Sequence, residues 1–186
     1  MRLIHRTVLI LTVCLLANSV EAQELDKKAK KQMKKEERTK IEQEHIALVA
    51  EAIDSSAYVL EADRLQSQRG ITINVPSNLN FIAVHGESAF IQVGSNGGIG
   101  PNGVGGVSVD TRITKMSIEK IEKTGGYSIQ MTCMSSAGIY DISISCNADG
   151  QVVTATIGGS RRGKLIYLGK LVPLALSRVY KGTPRY

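Results

Sequence analysis

The side chains that could do chemistry in this chain are few. Beyond the first 22 residues there are two histidines, His45 and His85, and two cysteines, Cys133 and Cys146. A zinc site wants three or four such ligands at close spacing, and these four are too scattered to form one. His45 falls next to Glu44 in a helix-forming stretch, where it reads as a surface or docking side chain. His85-Gly86-Glu87 reads as a tight hairpin turn whose imidazole could act as a general base, but no Ser or Cys is placed beside it as a nucleophile. There is no Gly-x-Ser-x-Gly elbow and no His-Glu-x-x-His. Glycoside hydrolysis would need two facing carboxylates, and pairing across strands leaves Asp110, Glu87 and Asp141 as the acids to test.

Two further segments have binding chemistry. Gly98-Ile99-Gly100-Pro101-Asn102-Gly103 matches a dinucleotide fingerprint by letter. That fingerprint must open a helix whose N-terminus meets pyrophosphate, whereas Val104 to Val109 runs on as a strand. The stretch 94–106 is therefore a glycine-rich loop, and Gly97, Gly98, Gly100 and Gly103 are its candidate residues for covering a ligand. Arg161 and Arg162, with Lys164 and Lys170, form a candidate anion-binding or ligand surface, since guanidinium forks suit phosphate or sulfate. The plainer alternative is a charged hairpin tip that discourages edge pairing. No residue pattern calls for a cofactor.

Positioning these residues falls to a β domain. From Ala57 onward the apolar residues recur with period two, broken by Gly, Asn and Ser clusters every 8–12 residues. The spacing predicts strands over 57–66, 71–75, 79–85, 88–94, 106–121, 127–134, 139–146, 151–158 and 164–171. Turn 135–138 sets Met131 opposite Ile142 and Ile129 opposite Ile144. The Asp149-Gly150 hairpin signal sets Ile144 opposite Val153 and Ile142 opposite Ala155. The next loop sets Val153 opposite Leu168 and Ala155 opposite Ile166. One buried face follows, comprising Ile129, Met131, Ile142, Ile144, Val153, Ala155, Ile166 and Leu168, and a one-residue slip would invert it. Cys133 then faces Tyr140 and Cys146 faces Tyr127, about 20 Å apart along the strands, too far for a disulfide. Two buried free thiols are expected.

Ahead of the β domain, residues 24–54 read as helix, with eight basic and eight acidic side chains. Its first half is a solvated lead-in. Its second half carries Ile41, His45, Leu48, Val49, Ala52 and Ile53 at helical spacing and should dock on the sheet. Before it, Arg2 and Arg6, the apolar stretch Thr7 to Ala17 and the short side chains of Val20-Glu21-Ala22 form a secretory signal pattern. Cleavage after Ala22 would take two Arg and one Glu from totals of 23 and 17, leaving 21 basic and 16 acidic groups. A lipid anchor at Cys14 is the less favoured alternative, because bulky Val13 precedes the cysteine. Residues 151–186 hold seven basic groups and no acid, a patch that can gather anions. No segment is apolar for long enough to make a transmembrane span.

A charged helix leads into Tyr58-Val59-Leu60-Glu61-Ala62-Asp63-Arg64; then come a Gly-rich middle, Gly106-Val107-Ser108-Val109-Asp110, and Ser160-Arg161-Arg162 with Ile166-Tyr167-Leu168-Gly169. Over roughly residues 40–172 this resembles an uncharacterised family of exported domains of unknown function from Bacteroides-type gut bacteria. The resemblance implies a Gram-negative envelope or secreted location and a β-rich fold, and implies no activity, cofactor or catalytic residue. Members carry an aromatic-Gly motif where this chain has Gln92-Val93-Gly94-Ser95-Asn96.

The expected architecture is mainly β, an antiparallel meander of eight to nine strands in barrel-like or sandwich form, with an N-terminal charged helix. Residues 1–22 are the signal peptide, 23–54 the helical lead-in and 55–186 the β domain. The expected function is an exported periplasmic or envelope-associated non-enzymatic binding module. Its partner would be an anionic envelope lipid, glycan or protein, not nucleic acid. A structural or assembly protein of the envelope and a hydrolase with a non-obvious carboxylate site stay open as alternatives.

Overall fold

A computed structural model describes residues 2–95, 105–159 and 163–183, with side chains in the helix from residue 27 on except residue 29. The helix α1 spans Arg2–Asp54 and is followed by nine strands: β1 Ala57–Ser67, β2 Thr72–Asn74, β3 Phe81–His85, β4 Ser88–Val93, β5 Val107–Lys120, β6 Tyr127–Ser135, β7 Gly138–Cys146, β8 Val153–Gly159 and β9 Lys164–Pro173. The chain forms two compact units, residues 1–43 and 44–186. Among the described residues no helix is long and apolar enough to cross a membrane.

All pairings are antiparallel, in the order β2-β1-β3-β4-β5-β6-β7-β8-β9, and β9 returns to pair with β1. That last pairing closes eight strands into a barrel, while the short β2 adds on to the far half of β1. Closure removes the open edges that a nine-strand sheet would otherwise present. Two irregularities bend the long strands: the β1–β9 register shifts around Asp63 and the β5–β6 register shifts around Thr114. Bulges at these points tighten the local twist so that the sheet can curl. Gly169 sits opposite Ala62 at this seam, where any Cβ would collide with the Glu61 carbonyl.

The interior is the predicted oily face, extended around the barrel. Ile129, Met131, Ile142, Ile144, Val153 and Ala155 are all buried in one cluster with Tyr58, Leu60, Ile82, Val84, Ile113 and Tyr167. The β6–β7 register is as the turn predicted: Met131 opposite Ile142, Ile129 opposite Ile144, Cys133 opposite Tyr140 and Cys146 opposite Tyr127. Cys133 and Cys146 are accordingly buried and unbridged.

The later registers differ from expectation. Ile144 faces Ala155 and Ile142 faces Ile157, a two-residue shift that keeps the inner face. Its cause is a six-residue turn in place of a tight one: the Val152 amide donates to Asn147 Oδ1 at 3.0 Å and the Asn147 amide to the Val152 carbonyl at 3.1 Å. At the β8–β9 hairpin the shift is one residue, so β9 turns over. Val153 faces Gly169 and Ala155 faces Tyr167, and the inner residues are Tyr167 and Leu171, not Ile166 and Leu168. Gly169 must face inward because β1 passes too close for a side chain, and Tyr167 then fills the lumen that an aliphatic was expected to fill.

One end of the barrel is covered by the last turns of α1. Val49, Ala52 and Ile53 join the interior cluster, and Val49 packs against Gly150 beside Leu171. Ile41, His45 and Leu48 stay exposed, so docking is confined to the narrower stripe of positions 49, 52 and 53. Helix and strand are joined through Ser56, a non-glycine residue at φ 51°, whose carbonyl accepts from the Gly86 amide at 2.9 Å.

Candidate functional site

Among the described residues the opposite end of the barrel carries no such cover. There β4 ends, β5 begins, the β6–β7 turn passes, β8 ends and β9 begins. Their side chains line a recess of about 790 Å³. Its wall is mostly apolar, including Ile91, Val93, Val107, Val109, Ile157 and Leu165. These residues come inward because each strand alternates its side chains and every register holds the same parity: Ile91 faces Val109, Val93 faces Val107 and Ile157 faces Leu165. Tyr167 also lines the recess and is fully buried. Its hydroxyl donates to the Gln92 carbonyl at 3.1 Å, and burial pushes its pKa up. The polar lining lies toward the rim, in Ser136, Tyr140 and Lys164, and Lys164 is the one charged residue among the described residues that line the recess.

Outside the wall a second apolar cluster, Val59, Phe81, Ala83 and Phe90, is packed by Leu174 and Val179 of the C-terminal segment. Gln92, buried between them, fixes that segment. Its Nε2 donates to the carbonyls of Leu79 at 3.1 Å and Tyr180 at 2.8 Å. Its Oε1 accepts from Ser108 Oγ at 2.9 Å and the Gly182 amide at 2.7 Å. Ser177 Oγ adds a 2.8 Å bond to Glu61, and the Lys181 ammonium lies 5.1 Å from the Phe90 ring centre. Asn80 closes the loop before β3 through the Pro76 and Gly94 carbonyls and the Gly94 amide. Periodicity alone gave no sign of Gln92 or Asn80; a polar residue inside an otherwise apolar strand, Phe90-Ile91-Gln92-Val93, is the signal that was available.

The residues singled out in the sequence fall in different places. Gly97, Gly98, Gly100 and Gly103, together with Arg161 and Arg162, lie outside the described residues. The flanks of the glycine-rich stretch do reach the open mouth, since Val93 and Val107 line it on either side. Lys164 is on that rim. Lys170 lies six residues further along β9, about 20 Å away, where it pairs with Glu61 at 3.6 Å, so the two lysines do not share a surface. Asp110, Glu87 and Asp141 do not face one another. Asp110 stands opposite Phe90, Glu87 pairs with Arg112 at 3.4 Å and Asp141 accepts from Thr132 Oγ1 at 2.9 Å. His85 is exposed at the end of β3, and His45 Nδ1 accepts from Gln151 Nε2 at 3.2 Å. Among the described residues no group of three or more His, Cys, Asp or Glu is placed to hold a metal ion.

Comparison with known proteins agrees with this architecture. No curated protein matches the chain. A crystal structure of a DUF4251 family protein from Bacteroides eggerthii is similar, with a TM-score of 0.60 and 26% identity over 72% of this chain and 90% of that one. The family model described as Domain of unknown function (DUF4251) matches residues 40–171, a span that takes in the end of α1, the residues of the mouth and all of the barrel but the last two residues of β9. The chain belongs to this family of domains of unknown function.

Proposed function

We propose that this domain is a non-enzymatic binding module, exported to the periplasm or beyond, that holds a small apolar-bodied ligand in the open mouth of its barrel. The observation that carries the reading is the asymmetry of the two ends. One end is filled by Val49, Ala52 and Ile53, and the other retains a recess of about 790 Å³ with an apolar wall. Binding pockets for small molecules have this character: roughly 300–1,000 Å³, mostly apolar, with a few polar groups at defined points. A fold that had only to be stable would gain by filling that volume with side chains. The export half of the reading rests on Arg2, Arg6, the apolar stretch from Thr7 to Ala17 and the short residues before Gln23.

Titration with a neutral apolar fluorophore, N-phenyl-1-naphthylamine, tests the site. Saturable enhancement at one site per chain is expected. It should be lost in Leu165→Lys, and weakened in Val107→Lys, whose position is exposed enough to leave folding intact. Absence of saturable binding to the folded protein overturns the reading. Amino-terminal sequencing of the protein recovered from culture fractions tests the address, with Gln23 expected as the first residue.

A further inference from the structure

We infer that the mouth takes a single-chain amphiphile with an anionic head, its chain directed down toward Tyr167 and its head held beside Lys164. This rests on the binding reading above and names the ligand's chemistry. Among the described residues that line the recess, the one polar side-chain group set deep in the wall is the Tyr167 hydroxyl. The Tyr167 hydroxyl is committed to the Gln92 carbonyl at 3.1 Å and the ring is fully buried. With its proton committed the hydroxyl has none to donate, so an anionic or carbonyl oxygen placed there would lose its water without a donor in return, and hydrocarbon is what this end favours. The wall of Ile91, Val109, Ile157 and Leu165 suits a chain.

The rim sets the sign of the head. Lys164 is exposed, and among the described residues no acidic one lines the recess with it. The hydroxyls of Ser136 and Tyr140 belong to the same lining and can donate to an anion. The apolar lining continues to the outer edge, where Val107 and Ile139 are 48% and 45% exposed. Chain burial therefore supplies most of the affinity. A solvated ammonium on the rim contributes little attraction but selects against a cationic head and fixes which end goes in first.

Displacement of the neutral fluorophore by octanoate, decanoate, dodecanoate, dodecanol and dodecylammonium, each as monomer, tests the inference. The carboxylates should tighten about fourfold per added methylene. Dodecanoate should exceed dodecylammonium by roughly tenfold, and Lys164→Glu should bring the two level or reverse them, the two ligands being compared as a ratio within each protein so that any change in fluorophore affinity cancels. Dodecanoate presented in anionic vesicles, compared with free dodecanoate, distinguishes uptake from a bilayer from uptake of monomer; both arms carry the same head chemistry. If the fluorophore binds but dodecylammonium matches dodecanoate, or chain length has no effect, the inference is overturned while the binding site stands. If the fluorophore does not bind, the binding reading itself has failed.

Discussion

The Tyr167 hydroxyl inside the barrel donates to the backbone carbonyl of Gln92 at 3.1 Å, and the Gln92 side chain on the outer face holds the C-terminal segment through Tyr180 and Gly182. One residue thus joins the inner end of the recess to the strap across the outer wall. All the hydrogen-bonding capacity of the Gln92 amide is met, which is what makes its burial tolerable.

Gln92→Leu removes four hydrogen bonds at once. Ser108 and Leu79 lose a buried partner, while Tyr180 and Gly182 can regain water only if the segment detaches. A loss of about 2–4 kcal/mol in urea unfolding is expected, with the segment released from Phe90 and Val59. Trypsin should then cut after Arg178 and Lys181 well before it cuts the barrel. Equal resistance in variant and parent would show that the apolar contacts of Leu174 and Val179 hold the segment without the amide.

Gly169→Ala probes the seam. Its methyl would overlap the Glu61 carbonyl, which belongs to the β1–β9 ladder and cannot move without opening the barrel. A destabilisation of at least about 3 kcal/mol is expected, at the upper end of overpacking costs. Gly158→Ala is the control. There an added methyl meets nothing nearer than the Asp141 carbonyl at 3.9 Å, and a change within about 0.5 kcal/mol is expected. Similar thermal midpoints for the two variants would mean that closure is looser than the geometry indicates.

Much of this barrel was legible in its sequence because strand alternation and turn length are local signals. The Ser135–Gly138 turn fixed the pairing of β6 with β7, and with it the separation of the two cysteines. What escaped was set by distant contacts. Asn147 widens its turn through a side-chain bond to the Val152 amide, which an Asp-Gly signal does not reveal. Tyr167 and Gly169 point inward because β1, a hundred residues earlier in the chain, lies against them. The sequence left barrel and sandwich both open for the same reason, and it gave no sign of the mouth, which exists only once β1 and β9 have met.

Tyr58→Phe should stabilise the fold. The Tyr58 hydroxyl is buried in the barrel with no hydrogen-bond partner among the described residues, and burial raises its pKa. Removing it relieves an unpaired polar group and leaves the ring's packing alone, a gain of about 1 kcal/mol. An unchanged or lower urea midpoint would point to a hydrogen-bonded buried water at the hydroxyl.

The two thiols and two buried tyrosines predict the alkaline limit of stability. Burial raises the pKa of Cys133 and Cys146 above the ordinary 9.0, and that of Tyr58 and Tyr167 above the ordinary 10.0. In the unfolded chain these groups lose their protons near the ordinary values; in the barrel they keep them. Their contribution to stability is therefore complete below about pH 9 and declines as pH rises through the raised values of the folded state. Unfolding free energy should be flat from pH 7 to 8.5 on this account and fall steeply above about pH 10. Iodoacetamide at pH 8 should leave Cys133 and Cys146 of the folded protein untouched, and add one group to each once the protein is denatured without reductant. Rapid alkylation of Cys146 in the folded state would refute the closed barrel end beside Tyr127, and rapid alkylation of Cys133, opposite Tyr140, would refute its burial in the wall near the mouth.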